Sequence, residues 1–200
     1  PFRPFRDSQT YWEKRYARGL TSGTGSRGNL AEFKSNVINR LLLEHEIESA
    51  IEFGCGDGHQ LGLVAYPEYT GFDVSPSAIQ RCRENYRDDA SKSFRLVAEH
   101  EGEKADLTLS LDVIYHLVED DVFEQHMRLL FDSSRSTVLI YSTNFELPPA
   151  EQPAHIRHRC FTNWIDQHSP DWKLVEQIEN EHTRGGKHGS SAEFFVFNLL

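Results

Sequence analysis

Residues 49–58 read Ser-Ala-Ile-Glu-Phe-Gly-Cys-Gly-Asp-Gly and combine two patterns that indicate how the chain folds. Its first half is a short β-prone run, and its second half has glycine at every other position, Gly54, Gly56 and Gly58. Glycine is favoured where a strand turns sharply, because it has no Cβ and adopts backbone angles that other residues avoid. The stretch therefore predicts a buried strand that ends in a tight loop, over which a ligand can lie closely.

Strand and helix patterns alternate on both sides of this stretch. Before it, apolar residues recur at three- and four-residue spacing from Leu30 to Leu42, which predicts a helix that packs on the core. After it we expect a helix, then a strand at 69–74 and a helix that begins at Ser75-Pro76, where a capping hydroxyl precedes proline. Further strands are predicted at 94–97, 106–111, 136–141, 172–178 and 193–199, and a further helix at 118–131.

This alternation predicts an α/β fold with a mostly parallel sheet of seven strands and helices on both faces. The last two strands have no helix between them, so we expect an antiparallel C-terminal hairpin at one edge of the sheet, with a polar linker at 180–191. Residues 1–29 would form an N-terminal segment whose Gly/Ser-rich loop, at 21–28, acts as a lid or a linker. Residues 30–200 would form the main domain.

The composition excludes several classes of function. The chain has 200 residues, a hydrophobic content of 38% and a net charge of −10, which indicates one core and argues against nucleic acid as a partner. Its apolar runs are too short to span a membrane. Three widely separated cysteines favour a reducing cytoplasm over a disulfide framework or a paired-cysteine zinc site. The chain begins at Pro1 without an initiator methionine, so we expect it to be part of a longer protein.

Three carboxylates, Glu52, Asp73 and Asp112, lie near the predicted carboxyl ends of strands. Ligands of open α/β sheets bind beyond these ends, so we expect the three carboxylates and Gly54 at one site. Asp73 suits a ribose, because a carboxylate accepts hydrogen bonds from both hydroxyls of a diol. A dinucleotide-binding loop requires glycine or alanine where His59 stands, so a nicotinamide or flavin enzyme fits less well. A phosphate-binding loop is excluded, since no Gly-Lys-Ser/Thr follows.

Three segments carry a resemblance to a known family. They are 51–58 (Ile-Glu-Phe-Gly-Cys-Gly-Asp-Gly), 71–75 (Gly-Phe-Asp-Val-Ser) and 110–117 (Ser-Leu-Asp-Val-Ile-Tyr-His-Leu). With this combination the chain resembles the class I methyltransferases, which have a Rossmann-like fold, over roughly residues 30–145. The resemblance implies S-adenosylmethionine (SAM) as cofactor and S-adenosylhomocysteine (SAH) as product. His155, His158 and Asp112 are of types that bind metals, but their sequence positions give no ligand geometry, and we expect no required metal.

The resemblance also implies which residues hold the cofactor. The glycine loop would pass under the methionine part, Asp73 would hold the ribose hydroxyls, and aromatic and basic residues near the N-terminus would close over the donor. The family often contacts adenine through an acidic residue after the third strand, for which Glu99 and its neighbours are candidates. The implied cofactor residues are Tyr11, Trp12, Arg15, Glu52, Gly54, Gly56, Asp57, Gly58, Asp73, Val74, Leu111 and Asp112.

Two groups of residues are candidates for catalysis and acceptor binding. His116 follows Asp112 at the mouth of the fourth strand and is a candidate base for an acceptor hydroxyl, because histidine titrates nearest to neutral pH. Asp112 would orient His116 or touch the donor, and a packing role for His116 is the alternative. After the fifth strand, arginine forks and aromatic faces suit sugars or anions, with a solvated helix start as the alternative. This second group consists of His155, Arg157, His158 and Arg159, of which the two histidines are also candidate bases.

Residues 11–16, 25–34 and 155–159 are similar to those of a bacterial methyltransferase subgroup associated with glycan and polysaccharide biosynthesis. We therefore predict O-methylation of a sugar or glycan hydroxyl. Two alternatives remain open: a small-metabolite N- or O-methyltransferase, and a SAM-binding module without transferase activity in a larger glycan-assembly protein.

Overall fold

The computed structural model describes residues 5–182 and 189–200 and has an α/β architecture built on one seven-stranded sheet. The strands are β1 (Ser49–Phe53), β2 (Glu68–Asp73), β3 (Lys92–Leu96), β4 (Ala105–Leu111), β5 (Ser134–Ser142), β6 (Trp172–Ile178) and β7 (Glu193–Leu199). The helices are α1 (Ser8–Ala17), α2 (Gly28–Glu44), α3 (Pro76–Asn85), α4 (Asp120–Asp132) and α5 (Phe161–His168).

The strand order is β3-β2-β1-β4-β5-β7-β6, and the first five strands run parallel. The last strand of the chain, β7, lies between β5 and β6 and is antiparallel to both. This arrangement confirms the predicted sheet with its antiparallel C-terminal hairpin. The predicted linker at 180–191 includes residues 183–188, which lie outside the described part of the chain.

Each face of the sheet packs against its own apolar cluster. On one face, Ile38 and Leu41 of α2 pack in a cluster with Leu107 of β4. On the other face, Met127 and Leu130 of α4 lie in a second cluster, and all five of these side chains are almost fully buried. Parallel strands that are covered on both faces leave their carboxyl ends as the place for a ligand. Among the described helices, none combines the length and the apolar character needed to cross a bilayer.

The helix predicted directly after the glycine loop is absent, and that prediction was wrong. The segment forms only a 3-10 turn at Leu61–Leu63, after which Val64 is already extended. The stretch between Gly58 and the start of β2 contains Gly62 and Pro67, which disfavour a regular helix.

The N-terminal segment is more ordered than the sequence suggested. Helix α1 begins after Asp7, whose carboxylate accepts a hydrogen bond from the backbone N–H of Thr10 at 2.6 Å and so caps the helix. The loop that follows contains a 3-10 turn at Thr24–Ser26, and α2 begins at Gly28. The boundary drawn between residues 29 and 30 therefore falls inside the first turn of α2.

Candidate active site

A cavity of about 550 Å³ lies at the carboxyl ends of the parallel strands. Its walls include Gly54 after β1, Asp73 at the end of β2 and Leu111 at the end of β4, together with Trp12 of α1. The segments chosen from the sequence thus meet around one space.

The glycine loop needs its glycines for close packing. Gly54 has φ of +93°, and a Cβ built on it would lie 2.4 Å from Cγ2 of Val113. Gly56 has φ of +57°, and a Cβ there would lie 2.4 Å from Oγ of Ser22. Any side chain at these two positions would displace a neighbour, and it would also strain the left-handed backbone.

Asp73 is fixed by the backbone around it. Its Oδ2 accepts from the N–H of Gly56 and its Oδ1 accepts from the N–H of Ser75, both at 2.9 Å. Burial raises the pKa of Asp73 to about 6, although these N–H groups oppose the rise. Each carboxylate oxygen offers two lone pairs, so both keep capacity for a ligand hydroxyl.

Glu52 is a second buried carboxyl in the cavity wall. The hydroxyl of Tyr69 donates to its Oε2 at 2.7 Å. Burial raises the pKa of Glu52 to about 7, with the Tyr69 hydrogen bond and nearby Lys34 acting in the opposite direction. This carboxyl therefore changes its charge near neutral pH, which an exposed glutamate does not do.

Asp112 does not orient His116 directly. Its Oδ2 lies 2.6 Å from Nζ of Lys34, and its Oδ1 accepts from the hydroxyl of Tyr115 at 2.7 Å. Asp112 has φ of +60°, a conformation that is uncommon for a residue with a side chain. Lys34, which the sequence analysis did not select, is only 1% exposed and lines the same cavity.

His116 lines the cavity with a neutral ring. Burial lowers the pKa of His116 to about 4. Its Nδ1 lies 3.3 Å from the carbonyl oxygen of His155, which can only accept, so Nδ1 carries the proton. The lone pair is then on Nε2, which leaves that atom free to accept a proton.

Four flat rings pack against one another at this part of the cavity, of which Trp12 and His116 belong to the lining and Tyr11 and His155 stand outside it. Trp12 packs edge-on against His116 with ring centroids 4.8 Å apart, and His155 lies parallel to His116 at 6.1 Å. Tyr11 stacks on His155 at 4.7 Å. We call Tyr11, Trp12, His116 and His155 the ring ladder.

His158 lies beside the ring ladder but outside the lining of the cavity. It stacks on Phe145 at 4.9 Å, and its Nδ1 is 2.7 Å from the hydroxyl of Thr143. Burial lowers the pKa of His158, so its ring is also neutral near pH 7.

The arginines of the predicted acceptor cluster have partners within the protein. Arg159 donates to the carbonyls of Leu117 and Val118 and to Asp120, and its side chain is 10% exposed. Arg157 pairs with Asp120 at 2.8 Å and remains 42% exposed. Both guanidinium groups fix the segment before α4, and neither lines the cavity.

Helix α1 is held over the cavity at its start and near its middle. Near its start, the hydroxyl of Ser8 donates to Oε2 of Glu119 at 2.6 Å. Near its middle, Oε1 of Glu13 accepts from the hydroxyl of Ser77 at 2.7 Å, which joins α1 to the start of α3. Arg15 does not line the cavity, because its Nε donates to the carbonyl of Thr21 and so folds the chain back after α1.

Of the residues expected near adenine, Glu99 itself stands outside the cavity lining, while its neighbours belong to it. The carboxylate of Glu99 accepts from the N–H of Leu96 at 2.8 Å. Val97 and Ala98 line this wall instead. His126 of α4, which the sequence analysis missed, also lines the cavity, and burial lowers its pKa to about 4.

The predicted site residues thus divide into two groups. Those that line the cavity are Trp12, Glu52, Gly54, Asp57, Asp73, Val74, Leu111, Asp112 and His116. Those that stand outside its lining are Tyr11, Arg15, Gly56, Gly58, His155, Arg157, His158 and Arg159.

The polar groups of the cavity suit SAM. The Asp73 carboxylate in its wall can accept hydrogen bonds from both ribose hydroxyls. Carboxylates in the wall suit a ligand that carries a sulfonium and an ammonium cation. Within residues 5–182 and 189–200, no group of three or more His, Cys, Asp or Glu side chains is arranged to hold a metal ion.

Comparisons with known proteins identify the family of the chain. A profile described as a methyltransferase domain matches residues 44–183. The chain belongs to this methyltransferase domain family, and with its fold it is a class I, SAM-dependent methyltransferase. A sequence search found no match among curated proteins.

Solved methyltransferase structures share the fold. The N-methyltransferase NodS from Bradyrhizobium japonicum WM9, in complex with SAH, superposes with a TM-score of 0.76 at 15% identity, over 97% of this chain and 99% of that chain. Magnesium protoporphyrin IX methyltransferase (ChlM) from Synechocystis PCC 6803, with bound SAM, gives 0.68 at 12% identity over 100% of both chains. The methyltransferase domain of bacterial CtHen1-C gives 0.67 at 19% identity, over 86% and 99%.

Proposed function

We propose that this enzyme transfers the methyl group of SAM to a hydroxyl of a sugar or a glycan. The observation that carries the proposal is the ring ladder, which extends beyond the lining of the cavity. Sugar rings stack their C–H faces on flat side chains, while their hydroxyls remain free for hydrogen bonds. Trp12 lies beside the neutral ring of His116. One face of Tyr11 is covered by His155 and one face of Trp12 by Tyr16, so a sugar would stack on the opposite faces of these rings.

The charge around the ring ladder favours a neutral acceptor. Arg159 is occupied by backbone carbonyls and Asp120, and the pKa values of His155 and His158 are lowered by burial. We assign acceptor contacts to His155, His158 and the exposed part of Arg157, and we assign to Arg159 the support of the loop.

SAM, when bound, supplies an electrophilic methyl group on its sulfonium sulfur. The residues of this chain have three tasks in the reaction: Asp73 holds the ribose, Trp12 and α1 exclude water, and His116 accepts the hydroxyl proton at Nε2. Positioning accounts for most of the rate gain in such a displacement, and the base adds to it.

A second candidate is N-methylation of a small amine. Asp7, Glu119 and Asp121 also line the cavity, and such carboxylates attract a cationic acceptor. This candidate predicts turnover with amines and none with sugars.

The test is to incubate the protein with SAM and parallel sets of neutral sugars, glycan oligomers and small amines, and to measure the SAH that is released. Mass spectrometry and NMR then locate the new methyl group. An O-methylated sugar supports the proposal, and turnover with amines alone overturns it. Binding of SAH without turnover on any acceptor also overturns it and favours a non-catalytic SAM-binding module.

A further inference from the structure

Lys34 differs in charge from the other residues around the cavity. Of the described residues in the lining, seven are carboxylates, and Lys34 is the only lysine or arginine. The seven carboxylates are those of Asp7, Glu52, Asp57, Asp73, Asp112, Glu119 and Asp121. This negative wall attracts the two cationic groups of SAM but repels its carboxylate. A cationic partner would offset this repulsion, and Lys34 is the one lysine or arginine among the described residues of the lining.

The ammonium group of Lys34 has donors left for a ligand. Its side chain is 1% exposed, and one N–H is directed to Oδ2 of Asp112 at 2.6 Å. Nζ also lies 5.2 Å from the ring centre of Tyr141. An ammonium group has three N–H donors, so the Asp112 contact does not use up its capacity.

Gln60 provides an independent sign of a ligand at the same wall. Its side chain is buried, with the residue 7% exposed, and Nε2 donates to the carbonyl of Ala31 at 3.0 Å. A carbonyl only accepts, which fixes the orientation of the amide. Oε1 of Gln60 then has no hydrogen-bond partner among the described residues. Buried polar atoms normally form hydrogen bonds, so an unpartnered oxygen in the cavity lining indicates that a ligand supplies the donor.

Lys34 and Gln60 line the cavity near the same turn of α2. Gln60 binds the carbonyl of Ala31, and Lys34 lies three residues further along the same helix. Residues three apart on a helix are neighbours on its surface, so Gln60 and Lys34 serve the same part of the cavity.

We propose that Lys34 and Gln60 together bind the amino-acid end of SAM. Nζ of Lys34 donates to the carboxylate, and Oε1 of Gln60 accepts from the ammonium group. The proposal rests on SAM being the donor, and it deepens the proposed function by assigning a part of the cofactor to two side chains. From the sequence, Arg15 is the more obvious partner for the carboxylate of SAM. In the structure its Nε donates to the carbonyl of Thr21, and the proposal assigns the carboxylate to Lys34.

The test is calorimetric titration with three ligands that differ only at the amino-acid end. They are SAH, the decarboxylated analogue S-adenosyl-3-thiopropylamine, and methylthioadenosine, which has no amino-acid end. Lys34→Met should weaken SAH binding by about 10- to 100-fold, as expected for a lost charge-assisted hydrogen bond, and leave the other two ligands nearly unchanged. Gln60→Leu should weaken SAH and the thiopropylamine, but not methylthioadenosine.

Matched variants separate binding from folding. Lys92→Met removes another shielded lysine, whose Nζ donates to the carbonyl of Tyr66 at 2.9 Å, and should leave all three affinities unchanged. Lys34→Met leaves Asp112 without its cation, so the double variant Lys34→Met/Asp112→Asn is measured beside Asp112→Asn alone.

The pattern across the three ligands decides the outcome. Lys34→Met is compared with the wild type, and the double variant is compared with Asp112→Asn. If binding of all three ligands is weakened equally in both comparisons, the proposal is overturned. Equal affinity of the wild type for SAH and the thiopropylamine would also overturn it. If the wild type binds none of the three ligands, the cofactor assignment itself fails, and this proposal fails with it.

Discussion

Ser22 and Asp57 bind each other through three hydrogen bonds. The N–H of Ser22 donates to Oδ2 of Asp57 at 3.1 Å, and its hydroxyl donates to Oδ1 at 3.0 Å. The N–H of Asp57 lies 3.1 Å from the same hydroxyl oxygen. These bonds tie the loop after α1 to the glycine loop, so the position of α1 and the shape of the cofactor floor depend on each other.

Ser22→Ala should therefore loosen the N-terminal segment without unfolding the domain. The substitution removes the hydroxyl bonds, worth about 1 kcal/mol each, and leaves the backbone bond in place. We expect faster hydrogen exchange and proteolysis in residues 8–27. SAH binding should be weaker by up to about 30-fold, which corresponds to two bonds of about 1 kcal/mol each.

Ser136→Ala is the matched control for Ser22→Ala. Its exposed hydroxyl donates to the carbonyl of Asp106 at 2.8 Å, away from the cavity lining. If both variants change SAH affinity equally, the loop contact has no specific role in closing the site.

Glu52→Gln should change how stability depends on pH. The pKa of Glu52 is raised from 4.5 to about 7 in the folded protein, so between these values the folded state holds a proton that the unfolded chain has released. Ionisation of Glu52 therefore reduces the free energy of unfolding as pH rises through this window. The reduction levels off above pH 7, where Glu52 is ionised in both states. The variant removes this effect and should be more stable than the wild type at about pH 7.5 in the absence of ligand.

Urea unfolding of wild type and variant from about pH 5 to 8 provides the measurement. The effect of Glu52 is the difference between the stability profiles of the wild type and Glu52→Gln. The difference is needed because His116 and His126 change the free energy of unfolding with pH in the opposite direction. Their lowered pKa values, both about 4, cause a loss of stability as pH falls below 6.5. Glu68→Gln, at an exposed position, controls for loss of a charge. Parallel profiles for wild type and Glu52→Gln would contradict the raised pKa.

His116→Gln should slow methyl transfer by about 100-fold while SAH affinity stays nearly unchanged, because a base acts on the acceptor and not on the donor. The pKa of His116 is about 4, so its neutral form is present throughout the neutral range. The wild-type rate should then show no inflection near pH 6.5 that depends on this histidine.

Single-turnover rates and pH profiles of both proteins test this role. His168→Gln is the control, since His168 is exposed and outside the cavity lining. Full activity of His116→Gln would transfer the role of the base to His155 or His158, or show that the acceptor needs none.

The fold could be predicted largely because its signals are local. Apolar runs located the seven strands. A helix-capping signal, Ser75-Pro76, located the start of α3, where the Ser75 hydroxyl accepts from the N–H of Ala78. Helix α1 was missed, although Asp7 is a good capping residue, because its mixed polar and aromatic residues show no clear apolar face. The wrong helix after the glycine loop followed from assuming a regular helix where Gly62 and Pro67 disfavour one.

The site could be predicted only where a residue carries its own signal. Gly54 and Asp73 were found because their types and their places after strands are distinctive. Lys34 looks like a solvent-exposed lysine in the sequence, and its burial depends on Asp112, 78 residues away. The partners of Arg159 also lie on a distant loop, so its sequence neighbours suggested acceptor binding instead of loop support.

Arg159→Met and Arg157→Met together distinguish loop support from acceptor binding. Arg159 is shielded and holds the carbonyls of Leu117 and Val118, so its loss should reduce the free energy of unfolding by about 2 to 3 kcal/mol. Arg157 shares Asp120 but is largely exposed, and its loss should cost less than about 1 kcal/mol. Urea unfolding measures both values, and the KM for the acceptor is then determined on folded protein. A raised KM in Arg159→Met with unchanged stability would restore the acceptor role, because an arginine that only supports the loop acts on stability first.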